Sequence, residues 1–94
     1  MAQLIPEDDI PDALKRVPDW DSVDKAIQRE VEFEDYMSGV EFVNEVAELA
    51  EEANHHPDLT LSWCRVTISL STHSKGGVTN LDIDMGRRID SLID

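Results

Sequence analysis

The sequence has few of the residues that mark a disulfide-stabilised or nucleic-acid-binding protein. Its single cysteine, Cys64, cannot form a disulfide within the chain, which is typical of a reducing compartment. Eight lysines and arginines stand against 21 aspartates and glutamates, so the net charge is −13. A field of that sign repels phosphate groups, and the composition therefore argues against binding nucleic acid or an anionic membrane surface.

Long apolar runs, low-complexity tracts and internal repeats are also absent. A chain of 94 residues is enough for one core, so residues 1–94 are predicted to form a single domain. The chain does not start with a basic segment followed by an apolar one, and we expect a soluble, cytoplasmic protein. The acidic residues are spread along the chain, as on the lysine-poor surfaces of proteins from salt-rich cytoplasm, and are interpreted as a solvated, halophile-like surface.

The spacing of apolar residues alternates between helical and strand periods along the chain. The helical period predicts three helices, over residues 6–17, over residues 35–54 and from residue 79 onward. The strand period predicts four strands, over residues 20–23, 26–33, 59–63 and 66–72. This order of helix, two strands, helix, two strands and helix indicates an α+β fold with one antiparallel sheet and the helices packed on one face.

Two of these elements show which side chains face the core. In the long helix the predicted apolar stripe consists of Phe42 or Val43, Val46, Ala47, Ala50 and Ala53. In the last strand the apolar face consists of Val66, Ile68 and Leu70, and the unusually polar opposite face consists of Thr67, Ser69, Ser71 and His73. After a Gly76-Gly77 turn, Thr79 to Asp82 match the capping box that opens a helix.

All three histidines lie between positions 55 and 73, and two are adjacent at the end of the long helix. Imidazole changes charge near neutral pH, so such a cluster suits proton transfer. Pro57 ends the helix at about Asn54 or His55, and Glu51, four residues before His55, is placed to hydrogen-bond an imidazole if the helix extends that far. The residues alone also fit histidines that merely cap a helix end, and both interpretations stay open.

Other kinds of site have less support. Adjacent histidines point about 100° apart on a helix and to opposite faces of a strand, so His55 and His56 are poorly placed to share a zinc ion. No serine lies in a G-x-S-x-G motif, and the two glycines at 76 and 77 are too few for a phosphate-binding loop. Asp82 fits the acid of a capping box as well as it fits a site residue.

One combination of motifs is more specific than these patterns. It comprises Ile27-x-Arg29-x-Val31-x-Phe33-x-Asp35-Tyr36, Phe42, Val46-Ala47, Ala50-Glu51, Asn54-His55-His56-Pro57-Asp58, Trp63, Leu70-Ser71-Thr72-His73, Gly76-Gly77-Val78-Thr79 and Asp82. With these residues the chain resembles the pterin-4a-carbinolamine dehydratases over about residues 20–90. It departs from the family at Val31 and Tyr36, where phenylalanine is more common, and at Gly39 and Gly86, where alanine is more common.

The resemblance implies a four-stranded antiparallel sheet with helices on one face, assembled into homodimers or homotetramers. The implied activity is dehydration of 4a-hydroxytetrahydropterin (pterin-4a-carbinolamine) to quinonoid dihydropterin, without a metal or other cofactor. An acid would protonate the departing C4a hydroxyl and a base would accept a proton from the adjacent ring nitrogen. Such acid–base catalysis is worth about 10²–10⁴-fold in rate.

The resemblance also implies roles for individual residues. The predicted catalytic residues are His55, His56 and His73, and the predicted substrate-binding residues are Glu51, Asp82 and Trp63. His55 and His73 are expected to transfer protons and His56 mainly to contact the pterin. Which imidazole gives the proton and which receives it stays open.

The resemblance leaves two other functions open. A member of the family can keep the fold and the pterin pocket as a non-catalytic pterin-binding, dimerising or assembly module, or it can act in molybdopterin metabolism. The complete set of three histidines favours catalysis, because a scaffold has no need for three titratable groups in one place.

Overall fold

The structure is a computed structural model that describes residues 2–93. The first segment is helical, as the period over residues 6–17 predicts, but only its middle is α-helix. The segment consists of 3₁₀ turns at Glu7–Asp9 and Leu14–Arg16 on either side of one turn of α-helix, α1 (Ile10–Ala13). Pro11 lies in the first turn of α1, where alone a helix accommodates proline, and no side chain caps the helix start. Its apolar side still faces inward, because Ile10 and Val17 are buried.

Four antiparallel strands form one sheet in the order β1-β2-β4-β3. The strands are β1 (Asp21–Val23), β2 (Ala26–Glu32), β3 (Asp58–Ser62) and β4 (Arg65–Leu70). Helix α2 (Tyr36–Ala53) follows β2, and helix α3 (Asn80–Ile93) follows β4. The predicted α+β class, with its order of elements, is confirmed. The prediction that β4 continues to residue 72 is wrong, because Thr72 instead forms an isolated bridge with Gly77.

The two faces of the sheet differ in polarity, as the alternation of the strands predicts. One face packs against the helices in a core that includes Ile27 and Val31 from β2, Val66, Ile68 and Leu70 from β4, Phe42 and Val46 from α2, and Ile83, Met85 and Ile89 from α3. On the other face Gln28 pairs with Ser69 and Glu30 with Thr67 across β2 and β4. None of the described helices is long and apolar enough to cross a membrane.

Helix α2 has a narrower buried stripe than predicted. The buried positions are Gly39, Phe42, Val46 and Ala50, whereas Ala47 and Ala53 are exposed. Ala47 lies about 100° around the helix from Val46, which is enough to turn its methyl group away from the sheet. The helix ends at Asn54 in the left-handed conformation (φ 52°), which asparagine tolerates better than most residues.

Helix α3 is held against the sheet by apolar packing and by a partly buried ion pair. The Asp90 carboxylate accepts hydrogen bonds from the Arg29 guanidinium at 2.6 Å and from the Trp20 indole N–H at 2.8 Å. Gly86 faces the Trp20 ring, and a Cβ atom there would lie 3.4 Å from both Trp20 and Val17. At Gly39 the corresponding Cβ atom would lie 3.0 Å from Leu61 Cδ1.

We expect Gly86→Ala to stabilise the protein by about 1 kcal/mol, because alanine favours the helix and its methyl group fits at ordinary contact distance. Gly39→Ala has the same helical benefit, but it requires Leu61 to move, so its gain is smaller. Urea unfolding of both variants and the wild type measures the difference. Equal gains, or a loss at Gly86, would contradict this account of the packing.

Asp35 caps the start of α2 by accepting a hydrogen bond from the Ser38 backbone N–H at 2.8 Å. The backbone N–H and then the hydroxyl of Ser38 lower the pKa of the Asp35 carboxyl. Because this pKa is lower in the folded chain, the added stability is present above the ordinary pKa. It is lost as the pH falls through the folded-state pKa.

We expect Asp35→Ala to lower the thermal midpoint at neutral pH, with the difference from wild type shrinking as the medium is acidified. Asp35→Ser keeps a capping oxygen but removes the titration, so its effect should change little with pH. Glu34→Ala is the control at the neighbouring exposed position. Circular dichroism melts across the acidic range test this, and an Asp35→Ala deficit that grows with acid would refute it.

Candidate active site

The end of α2 turns His55 towards the interior and His56 towards solvent. The His55 side chain is 13% exposed, and its Nε2 atom lies 2.6 Å from Oδ1 of Asp82, which is fully buried in the first turn of α3. This contact ties the chain after α2 to the start of α3. A buried carboxylate beside an imidazole fixes the orientation of the ring and selects the nitrogen that carries the proton.

Asp82 also accepts hydrogen bonds through its other oxygen. Oδ2 accepts from the Thr79 backbone N–H at 2.8 Å and from the Thr72 hydroxyl at 2.9 Å. The carboxylate therefore caps α3 as the capping box predicts. The Thr79 hydroxyl departs from that motif, because it accepts from the Leu81 N–H at 3.2 Å. Asp82 is thus both the acid at the start of the helix and the partner of His55.

His56 forms a separate, exposed pair with Glu51. Its Nε2 atom lies 2.5 Å from Glu51 Oε2, and the two side chains are 54% and 77% exposed. The helical geometry that would have put Glu51 beside His55 does not occur. The helix stops at Ala53, and the left-handed Asn54 turns the chain before His55. Glu51 does contact an imidazole, but that of the next residue.

His73 lies on a 3₁₀ turn (His73–Lys75) after β4, and not on the strand face where the alternation predicts it. The turn ends at Gly76, whose φ of 74° suits glycine. His73 lines a hollow of about 450 Å³ at the end of the polar sheet face. The other side chains that face it include Gln28, Asp58, Ser69, Ser71 and Lys25.

Short stretches of chain connect His55 and Asp82 to this hollow. Asp58 lines the hollow two residues after His56. Thr72, which donates to Asp82, immediately precedes His73. His55 therefore contacts the buried Asp82–Thr72 pair directly, and His73 follows that pair as the next residue of the chain. The described hydrogen bonds include none that joins the two imidazoles directly.

Trp63 lies apart from the three histidines. It occupies the turn between β3 and β4 and is 72% exposed. The pair Asp58–Ser69 marks the other end of this hairpin, about 17 Å away at the usual rise of a strand. Within this chain the structure does not bring Trp63 to the site, so its contact with a pterin stays a prediction without geometric support.

Thr72 and Thr79 belong to the buried network but were not predicted to be site residues, although both lie in motifs of the sequence. Thr72 is 7% exposed and Thr79 fully buried, and their hydroxyl oxygens are 2.7 Å apart. The signal for Thr72 lies in the strand alternation. Counting on by two from Val66, Ile68 and Leu70 reaches position 72 on the apolar face, where a hydroxyl needs a partner.

Two further features separate this site from other candidates. A second hollow of about 490 Å³ lies between the N-terminal segment and the Gly76-Gly77 turn, is lined mainly by apolar side chains and contains none of the predicted site residues. Within residues 2–93, no three or more histidine, cysteine, aspartate or glutamate side chains are grouped so as to hold a metal ion. The described residues bring acid–base groups together around Asp82, and a further imidazole lies in the hollow at His73.

Comparison with known proteins agrees with this architecture. The family described as pterin 4 alpha carbinolamine dehydratase matches residues 3–92. A protein of Nocardia farcinica that bears the provisional name pterin-4-alpha-carbinolamine dehydratase is 44% identical over 90 residues, which are 96% of this chain and 95% of that protein.

Solved structures share the fold. The crystal structure of a transcriptional coactivator/pterin dehydratase from Brucella melitensis has a TM-score of 0.89 and 35% identity, covering 96% of this chain and 98% of that chain. A pterin dehydratase-like protein identified as a RuBisCO assembly factor in the alpha-carboxysome has a TM-score of 0.63 and covers 78% and 84%; at 22% identity it shows the fold alone. The resemblance found in the motifs is confirmed, and the chain belongs to the pterin 4 alpha carbinolamine dehydratase family.

Proposed function

We propose that the protein is a hydro-lyase that dehydrates 4a-hydroxytetrahydropterin, such as 4a-hydroxytetrahydrobiopterin, to quinonoid dihydropterin. The observation that carries the proposal is the hydrogen-bonded series from His55 through Asp82 to Thr72, which directly precedes His73 in the chain, together with the polar hollow that His73 lines. We also propose that the protein assembles into homodimers or homotetramers and is cytoplasmic.

The reaction requires two proton transfers at neighbouring atoms. The C4a–O bond breaks as an acid protonates the departing hydroxyl, which leaves as water. A base accepts the proton of N5, and the C4a=N5 double bond forms. Two imidazoles can serve as this acid and base near neutral pH, and we assign these roles to His55 and His73.

The hollow beside His73 supplies groups that can bind a pterin ring. The edge of a pterin presents amide and amino groups, which both donate and accept hydrogen bonds. Gln28, Ser69, Ser71 and Asp58 line the hollow and offer an amide, two hydroxyls and a carboxylate. His56, held by Glu51 at the exposed corner, is proposed to contact the substrate and not to transfer its protons.

Stopped-flow measurement of the dehydration of synthetic 4a-hydroxytetrahydropterin, in high salt to screen the charge of −13, tests the proposal. We expect a rate well above that in buffer. His55→Ala and His73→Ala should each lower kcat by about 10²-fold or more, because each removes a proton-transfer group. His56→Ala should act mainly on KM.

Asp82→Asn and Asp84→Asn form a matched pair on α3, since Asp82 is fully buried against His55 and Asp84 is exposed. The first should lower kcat, and the second should leave it within about twofold. A wild-type rate no higher than buffer, with tight pterin binding by fluorescence, would replace the enzyme with a pterin-binding module. No rate and no binding would reject the pterin site altogether.

A further inference from the structure

The hydrogen bonds behind His55 run in one direction. Thr72 uses its only hydroxyl proton to donate to Asp82 Oδ2 at 2.9 Å. In the 2.7 Å contact between the two threonine hydroxyls, Thr79 must therefore be the donor. The Thr79 oxygen in turn accepts from the Leu81 N–H. A directed chain thus leads from the start of α3 through Thr79 and Thr72 to the carboxylate.

This chain determines how the carboxylate meets the imidazole. An ionised carboxylate only accepts hydrogen bonds, and Oδ2 of Asp82 already accepts two. Oδ1, 2.6 Å from His55 Nε2, is left to accept from that nitrogen. His55 in its neutral form then carries its hydrogen on Nε2, and the lone pair is on Nδ1.

The Nδ1 atom of His55 is not fully enclosed by the protein, and the side chain as a whole is 13% exposed. Nδ1 has no hydrogen-bond partner among residues 2–93, yet every described buried side-chain nitrogen or oxygen has one. Nδ1 therefore reaches the surface, where a proton can be exchanged with a bound molecule.

We propose that Thr72 is a positioning residue that holds Asp82 in place, fixes His55 in the Nε2–H form and so makes Nδ1 the atom that exchanges a proton. Thr72 is suited to this because its hydroxyl points into the core, while Ser71 and His73 on either side of it line the hollow. The kinetic part of this inference rests on the proposed dehydratase function, and the statement about the His55 ring does not.

Nitrogen NMR of the imidazoles in the free, ¹⁵N-labelled protein tests the inference without any substrate. At a pH where His55 is neutral, the wild-type long-range ¹H–¹⁵N spectrum should show the hydrogen on Nε2. Thr72→Val replaces the hydroxyl by a methyl group of similar shape, and its spectrum should shift towards a mixture of the two tautomers. Thr72→Ser should restore the wild-type pattern, and Thr67→Val, on the outer face of β4, should leave it unchanged.

The rate of dehydration provides the second measurement. Thr72→Val should lower kcat on the order of tenfold, the lower end of the range for losing a group that orients a metal-bound histidine, with little change in KM. Its pH–rate profile should shift, and Thr72→Ser should recover the wild-type profile. A merely structural role would lower the amount of folded protein and leave the profile of the folded fraction unchanged.

Each outcome decides the inference. A wild-type His55 with its hydrogen on Nδ1, or a Thr72→Val protein with an unchanged tautomer, overturns it. If Thr72→Val does not fold, Thr79→Ala weakens the same chain one step earlier, and an unchanged tautomer in that variant overturns the inference too. If the protein proves not to be a dehydratase, the NMR measurement of the His55 tautomer still tests the role of Thr72.

Discussion

The burial of one carboxylate, that of Asp82, is the constraint on which the site depends. An unpaired carboxylate in a protein interior is expensive, so the surrounding chain has to provide donors. Here they come from three separate places: the loop after α2, the segment after β4, and the start of α3. These connections converge because each has to reach the same group. The acid at the start of the last helix therefore organises the loops as well as the helix.

The sheet separates the roles of its two faces. The face towards the helices is apolar and closed, and the opposite face is polar from β2 through β4. Asp82 and Thr72 lie on the closed side, and His73 lines the hollow on the open side. Residues at the end of β4 thus pass between the two environments within two positions. At the end of β4 the core therefore holds Thr72 in place, while solvent and a small molecule can reach its neighbour His73.

Most helices and strands could be predicted, because burial of one face determines the spacing of the apolar residues in each. The alternation in β2 and β4 and the stop at Pro57 depend on local chemistry, so the sheet and the end of α2 could be predicted. In the first segment the helical period located the turns and the buried Ile10 and Val17, but it could not show that the turns on either side of α1 are 3₁₀. The prediction that Ala47 and Ala53 are buried was wrong, because alanine is compatible with either side of a helix. Only the position of the sheet decides which alanines are buried.

Most residues of the site could be predicted, but the contacts between them could not. The motifs identified the histidines, Glu51 and Asp82, yet which acid meets which imidazole depends on the left-handed turn at Asn54. Sequence spacing alone assigns Glu51 to His55, because it assumes a continuing helix. The position of Trp63 shows a different limit. Trp63 is close to His55 and His56 in sequence, but strand β3 separates them in space, because Trp63 lies at the far end of the hairpin.

The two tryptophans also give the protein two distinct optical environments. Trp20 is 2% exposed, and its indole N–H is engaged by Asp90, whereas Trp63 is 72% exposed at the tip of a hairpin. Fluorescence from Trp20 comes from a rigid, apolar environment, and fluorescence from Trp63 comes from a hydrated one. A soluble quencher reaches the second ring first, so the fluorescence that resists quenching reports on the junction of sheet and last helix alone.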